Sequence, residues 1–416
     1  MPGEQGMDRQ GPLKGLKVIE ICHVMAGPTC GLMLADMGAD VIKLEDTRTG
    51  DTTRGFAPPT VNGESAAYMM MNRNKRGISV DLKSEGGKAV LRRLATTADV
   101  LIENFRPGVM QRLGFDYEVL RQDNPGLIYA NVSGYGRSGP WAERGGFDLV
   151  AQGLSGLMSI TGEGPGRPPV KVGAPMADIT AGILLAMGIL AAYAHRLKTG
   201  QGQLVDTSLF EAGITHTYWQ SAICFATGEA PLAMGSAHPL SAPYQAVRVA
   251  DGYINISGAN QKNWLALLKA IGAEALADDP RFRDNAGRME HREALIAELE
   301  KRFTREIGDY WLEKLEAVGV PAGAILNVRQ MHEHEQTVAR DMVVALDHPK
   351  AGRTRALGLP VKFADTPGKV MHAAPLFGQH TREVLRECGF ADDEIDAMAE
   401  RGDVRLAPDP EARAAE

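Results

Sequence analysis

Cysteine is scarce and scattered in this chain. The 416 residues include four, Cys22, Cys30, Cys224 and Cys388, with no CxxC spacing. That pattern fits neither a disulfide framework nor a thiolate zinc site, and the plain reading is buried free thiols. Excess positive charge is also missing. Lys and Arg total 45 against 52 Asp and Glu, a net charge of −7, so the broad basic surface that binds nucleic acid is not expected, although a small basic pocket is. Residues 1–12 (MPGEQGMDRQGP) carry one Arg and no apolar core, unlike a signal or transit peptide, and a cytoplasmic location is expected. The longest apolar run, Ile179 to Ala194, is interrupted by Thr180, Gly182 and Gly188. It falls short of the ~18 residues of a membrane span and reads as a buried helix. Low-complexity segments and internal repeats are absent, as are the P-loop, the GxSxG elbow and HExxH. In HEHE (332–335) the two His stand two apart and face different sides of a helix, so a solvated turn is read there rather than a metal site.

What is present is alternation. LKVIEI (16–21), an apolar helical stretch to Met37 and ADVIKLE (39–45) form a βαβ unit. Further strands are expected at 77–82, 98–104 and 127–134, with a helix at Glu85 to Thr96. The economical assembly is an α/β fold with a Rossmann-like, doubly wound parallel sheet. The first loop, HVMAGPTCG, holds Gly27 and Gly31 but no GxGxxG. It is therefore read as a plain βα turn, even though Glu45 and Asp46 stand about where a ribose-binding acid would. From about Ser236 the character changes. Two strand runs flank Asp251-Gly252 in 242–258, and helical patterns follow at 262–271 and 290–317, the signature of a smaller α+β domain. The expected division is a large domain over 1–210, a linker over 211–235, the small domain over 236–330, and a segment over 331–416 that returns to the large domain. That last segment holds a strand near 342–346, a helix from Thr381 to Cys388 and a polar tail, PDPEARAAE.

Asp178 is the carboxylate of interest. It follows VKVGAPMA and opens the long apolar helix, where an Asp ordinarily serves as N-cap. A capping and a reactive role remain open from position alone. The helix start would also stabilise negative charge developing nearby. Arg73, Lys75, Arg76, Lys83, Arg106 and Arg112 recur around successive strands. Each is ordinary as a surface charge, but ligands bind beyond the carboxyl ends of such strands.

The ordered landmarks HVMAGP (23–28), GADVIKLE (38–45), NRNKRGISVDLK (72–83), ENFRPG (103–108), SGYGRSGP (133–140), GGFD (145–148), MADITAG (176–182), KTGQGQ (198–203) and GQHT (378–381) closely resemble those of the class III CoA-transferases. That family includes formyl-CoA transferase, carnitine CoA-transferase and succinate–hydroxymethylglutarate CoA-transferase. The resemblance runs from about Leu13 to Gly389. It implies that Asp178 is a nucleophile carrying first an anhydride and then a CoA thioester, with acyl-CoA and a carboxylic acid as substrates and no metal or prosthetic group. It places CoA contacts on His23, Met25, Ala26, Val80, Asp81, Leu82, Lys83, Asn104, Phe105, Arg106 and Arg112, with Arg144 near the nucleotide. It also implies an interlocked homodimer.

Two departures stand out. Asp46 occupies a position held by Arg in formyl-CoA transferase, and SGANQ (257–261) replaces that enzyme's glycine lid, which makes oxalate and formate poor expectations. GSAHPLSAPYQAV (235–247) and the SGAN loop, with Gly258 and Asn260, look more like the succinate–hydroxymethylglutarate branch. Succinyl-CoA and a dicarboxylate acceptor are therefore expected, with Arg54, Arg73 or Arg76 available for the second carboxylate. The rival readings are an α-methylacyl-CoA racemase-like enzyme and a catalytically silent CoA-binding protein. The racemase's His in GHD is Phe147 here, which removes an acid–base group that racemisation needs.

Overall fold

The computed structural model describes residues 9–407. The polar ends expected from the sequence, residues 1–8 and the tail from 408, lie outside the described residues. The chain divides into two units. One comprises the chain up to Ser155, Gly173–His216 and the chain from Glu335 onward; the other comprises Gly156–Val172 and Thr217–His334.

The first unit is built on a seven-stranded sheet. Its strands are β1 (Lys17–Ile21), β2 (Asp40–Glu45), β3 (Arg76–Val80), β4 (Val100–Glu103), β5 (Ile128–Ser133), β6 (Leu204–Ser208) and β7 (Val404–Arg405). They lie in the order β7-β3-β2-β1-β4-β5-β6. All neighbours are parallel except β7, which runs antiparallel to β3. This is a doubly wound sheet whose winding reverses between β1 and β4.

Alternation along the strands feeds two cores. In β1, Val18 enters the core on one face while Ile19 and Ile21 enter that on the other. In β4, Val100 and Ile102 face the first and Leu101 the second. Helices α1 (Ala26–Asp36), α4 (Met176–Thr199) and α5 (Leu209–Thr215) cover the first face. Helices α2 (Glu85–Thr97), α6 (Thr381–Glu387) and α7 (Asp392–Arg401) cover the second. Between them in sequence lies α3 (Asp148–Leu154). Helix α2 forms because Ser84 accepts the Gly87 amide as N-cap and Val90, Leu91, Leu94 and Ala95 make one buried stripe.

Helix α4 runs 24 residues and is long and apolar enough to cross a membrane, longer than the run read from the sequence. It packs on α1 through Gly182, where a Cβ would overlap the Ala26 carbonyl and crowd Thr29. Its Leu185 and Ile189 are fully buried, each contributing about 1.5–3 kcal/mol. The expectation of a wholly buried helix needs correction, since Ile183, Met187 and Leu197 of its other face are exposed.

The second unit has a three-stranded sheet in which Gly252–Ser257 lies between Tyr244–Val249 and Ala322–Ala324. Helices Gln261–Ile271, Arg292–Phe303 and Gly308–Ala317 accompany it. Its core gathers Trp264, Leu267, Leu295, Phe303 and Trp311. Residues 211–235, expected as a linker, hold most of α5 and the helix Tyr218–Thr227. The unit boundary falls at Thr217, and Gly156–Val172 belongs to the second unit as well. Of the cysteines, Cys22 and Cys30 are buried, whereas Cys224 and Cys388 are only half-buried.

Candidate active site

Where the winding reverses, the loops after β1 and β4 diverge and open a crevice. Asn104 bridges it. Its Oδ1 accepts from the His23 amide at 2.9 Å and its Nδ2 donates to the His23 carbonyl at 2.8 Å. A cavity of about 310 Å³ opens there, lined by His23, Met25, Ala26, Asn104, Phe105, Arg106, Arg144, Phe147 and Asp178. A second, of about 300 Å³, is lined by Asp46, Val80, Asp81, Leu82, Lys83 and Arg112, and it shares His23 and Phe105 with the first. The structure thus brings every expected CoA contact to one of two adjoining hollows. Asp46, the departure from the family's Arg, closes its own turn by accepting from the Arg48 and Thr49 amides at 3.0 and 3.2 Å.

Asp178 lies in the first turn of α4, whose N-cap is Pro175, without a side-chain cap bond. It is therefore not the N-cap. That role is taken from outside the helix by Asp148, whose Oδ1 accepts from the Ala177 and Asp178 amides at 2.9 and 3.3 Å. Its Oδ2 accepts from Gln152 Nε2 at 2.7 Å. The Met176 amide donates to the Ala174 carbonyl and the Ile179 amide to that of Pro175. The first-turn donors are thus engaged, and the expectation that this helix start would itself hold a developing anion is corrected. Glycine makes the arrangement feasible: Gly134 and Gly146 touch backbone to backbone, and a Cβ on either would collide with the other. That approach seats the loop carrying Asp148 against α4.

The Asp178 carboxyl accepts no hydrogen bond among the described residues. Burial, with the Asp148 carboxylate adding to it, raises its pKa to about 7. It therefore exchanges a proton near neutrality. In its ionised form it is a carboxylate without a cationic partner, the state in which it is most nucleophilic. The pKa of His23, which faces the same cavity, is lowered by burial, which favours the neutral imidazole.

Three residues expected to meet a second carboxylate are engaged elsewhere. Arg54 makes a bidentate pair with Glu45, both contacts at 2.7 Å, donates to the Tyr68 hydroxyl and lies over the Tyr68 ring. Arg73 is buried and paired to Asp36 at 2.6 Å. Arg76 binds Asp40, Glu383 and Glu387 within 2.8 Å and opens β3, at the end of the strand away from the crevice. All three hold the fold, because a buried guanidinium needs those carboxylates. Asn260 is likewise committed: as N-cap of the helix Gln261–Ile271 it accepts from the Asn263 amide. Gly258, in the same unit, donates its amide to the Pro243 carbonyl.

Sequence reasoning missed Asp148, thirty residues from Asp178, a separation without any helical or strand register. It also missed a set of buried charges under the His23 loop, Glu20, Lys43 and Asp51. For Glu20 and Lys43 the signal was a charged residue inside an otherwise apolar strand; Asp51, in the loop before Thr52–Gly55, gave none.

The cavity thus presents a carboxyl that accepts no hydrogen bond among the described residues, with Arg106 and Arg144 elsewhere in its lining. The chain belongs to CoA-transferase family III, whose model matches residues 13–381, and it is a CoA-transferase. It is 39% identical over 390 residues to the succinate–glutarate CoA-transferase of Agrobacterium fabrum, covering 91% of this chain and 96% of that one. It is 40% identical to the acetyl-CoA:oxalate CoA-transferase of Acetobacter aceti, over 85% of this chain and 90% of the other. Among solved structures, a CAIB/BAIF family protein from Brucella suis superposes with a TM-score of 0.81 at 39% identity, covering 91% of this chain and all of that one.

Proposed function

We propose that this enzyme moves CoA from succinyl-CoA to a dicarboxylate, with Asp178 as the covalent carrier. The observation that carries the reading is the Asp178 carboxyl, facing the crevice without a hydrogen-bond donor among the described residues and titrating near 7. Its carboxylate attacks the thioester carbonyl; the C–S bond breaks, giving a mixed anhydride and CoA thiolate. The thiolate, the base of a thiol with a pKa of ~8.5, is a competent leaving group and nucleophile. It attacks the Asp178 carbonyl, releases succinate and leaves an Asp178–CoA thioester. The acceptor carboxylate then attacks that thioester, and the expelled thiolate takes the acceptor's acyl group, which restores Asp178.

The dicarboxylate preference rests on the Agrobacterium relative and on the cations lining the cavity with Asp178. With Arg54, Arg73 and Arg76 committed to the fold, Arg106 and Arg144 are the guanidinium groups placed to meet a distal carboxylate or a phosphate. The acetyl-CoA:oxalate CoA-transferase of Acetobacter aceti makes a shorter diacid the first competitor to test.

A homodimer is the second part of the proposal. Helix α4 exposes Ile183, Met187 and Leu197, and the helix Tyr218–Thr227 exposes Tyr218, Trp219 and Phe225, more large apolar side chains than a monomer ordinarily leaves to water. Sedimentation equilibrium checks this, and a monomer at micromolar concentration would refute it.

The chemical test incubates the enzyme with succinyl-CoA, adds hydroxylamine and maps peptides by mass spectrometry, with Asp178→Asn alongside. Hydroxamate at Asp178, absent from the variant, is the expected result. No adduct with succinyl-CoA or with a panel of other acyl-CoA donors would overturn the covalent route.

A further inference from the structure

The loop that carries His23 and Met25 into the crevice contains a conformation that the sequence does not favour. Val24 has φ of +68°, a left-handed geometry that a β-branched residue adopts only when its surroundings impose it. Those surroundings are ionic and buried. The Val24 amide donates to Asp51 Oδ1 at 3.3 Å. Asp51 Oδ2 stands 2.8 Å from Lys43 Nζ, both side chains being fully buried. Lys43 directs its ammonium at three oxygens: Asp51, Glu20 at 3.0 Å and the Cys22 carbonyl at 2.9 Å. Glu20 and Lys43 are paired in register on β1 and β2, so the sheet itself sets their spacing.

The same charges hold the chain beyond the loop. Glu20 meets Lys75 at 2.7 Å, and Lys75 donates to the Pro28 carbonyl in the first turn of α1 at 3.0 Å. A Cβ at Gly31 would overlap the Glu20 carboxylate. The main chain is therefore gripped before Val24 at the Cys22 carbonyl, at the Val24 amide and after it at the Pro28 carbonyl.

We infer that the Asp51–Lys43 pair is a positioning device that holds the His23–Met25 loop in its strained form and so presets the acyl-CoA crevice. Neither residue lines the cavity with Asp178, so both act through the loop. The inference rests on the crevice being the acyl-CoA site. A left-handed residue held at its own amide and at one fixed point on either side keeps the loop shape in the empty enzyme, and binding then need not supply that ordering. Without the Asp51 charge, Lys43 loses one of its two carboxylate partners, and Val24 can relax toward an extended φ and carry His23 with it.

A double-mutant cycle tests this, because glycine adopts φ of +68° without strain. Asp51→Asn, Val24→Gly and the pair are compared with wild type for CoA affinity by calorimetry, for kcat and KM with succinyl-CoA, and for Tm. Asp51→Asn in the wild-type background should weaken CoA binding and raise KM about tenfold or more, with a smaller change in kcat. In the Val24→Gly background the same substitution should cost less than about threefold. Val24→Gly alone should raise Tm, which keeps the test informative if Asp51→Asn fails to fold. Equal losses in both backgrounds, or a Val24→Gly variant that lowers Tm, would overturn the clamp. Should wild type itself show no CoA binding, the crevice assignment falls first and the clamp's role with it, so the two failures are distinguishable.

Discussion

Beneath the His23 loop, Asp51 is fully buried, faces an ammonium at 2.8 Å and accepts from the Val24 amide and from the amide and hydroxyl of Thr53. At the start of α4, Asp178 is partly buried, has no donor to its carboxyl among the described residues, and has another carboxylate beside it. Burial raises both acids. At Asp51 the Lys43 charge and the Thr53 donors outweigh it and hold the carboxyl well below its usual range; at Asp178 nothing does, and it rises to about 7. One residue type thus makes a permanent structural anion in one place and, in the other, a carboxyl that exchanges its proton near neutrality. The difference lies in the partners and not in depth.

The sharpest way to test that division is to remove each carboxylate's function in turn. If Asp178 is the carrier, Asp178→Asn should lower kcat for CoA exchange between succinyl-CoA and a dicarboxylate by about 10³-fold or more, since among the described residues no other carboxylate lines this cavity. Retained turnover in a coupled assay would place the nucleophile elsewhere. On the structural side, Arg73→Ala should strand Asp36, whose carboxyl burial already raises to about 6 against the pull of Arg73. The expected loss is about 3–5 kcal/mol in urea unfolding, with KM for the acceptor within about twofold of wild type. A large rise in KM at unchanged stability would return Arg73 to the substrate site.

Asp178 should also weigh on the fold, with the opposite sign from Asp51. Its folded pKa of about 7 exceeds the ordinary value of 3.8. Between these values the folded chain keeps a proton that the unfolded chain has lost, so stability falls as pH rises from about 4 through 7. Asp178→Asn removes the penalty. It should stabilise the protein at pH 8 by on the order of 1–3 kcal/mol, allowing for partial contact with water, and have little effect at about pH 4. Denaturation at the two pH values reads this directly, and an equal effect at both would show that Asp178 does not titrate as placed.

The contrast also explains what could be read from the sequence. The strands of the first unit were legible because both sheet faces are covered, so β-branched runs such as VIEI and VLIE mark them whatever the partner. Their parallel assembly was legible too, whereas their order and the point of reversal are set by tertiary packing. The edge strand β7 was not legible: it is two residues long and is defined by pairing with Ser79 and Val80. The boundary at Thr217 was missed because helices lie on either side of it, without a turn signal. Within the site, the residues that the motifs singled out, Asp178 and the expected CoA contacts, do line two adjoining hollows. The error over Arg54, Arg73 and Arg76 has one cause. An arginine's partner is fixed by tertiary contact, and Asp36, Asp40, Glu45, Glu383 and Glu387 come from distant segments. Asp148 was hidden for the same reason.

Asp148 supplies the finest test. In wild type, the proposed mechanism has kcat/KM for the acyl-CoA rise with pH through about 7, because it requires the free enzyme to ionise Asp178 before attack. Asp148→Asn keeps an oxygen to accept from the Ala177 and Asp178 amides, and Asn caps a helix about as well as Asp, so α4 should start unchanged. What disappears is the like charge. Since burial is the larger cause and Asp148 the smaller, the midpoint should move down by about one unit or less and remain above the ordinary carboxylate range. A profile that drops fully to that range would make Asp148 the main cause. A profile that does not move would leave Asp148 as the cap of α4 alone, with burial setting the acidity of Asp178.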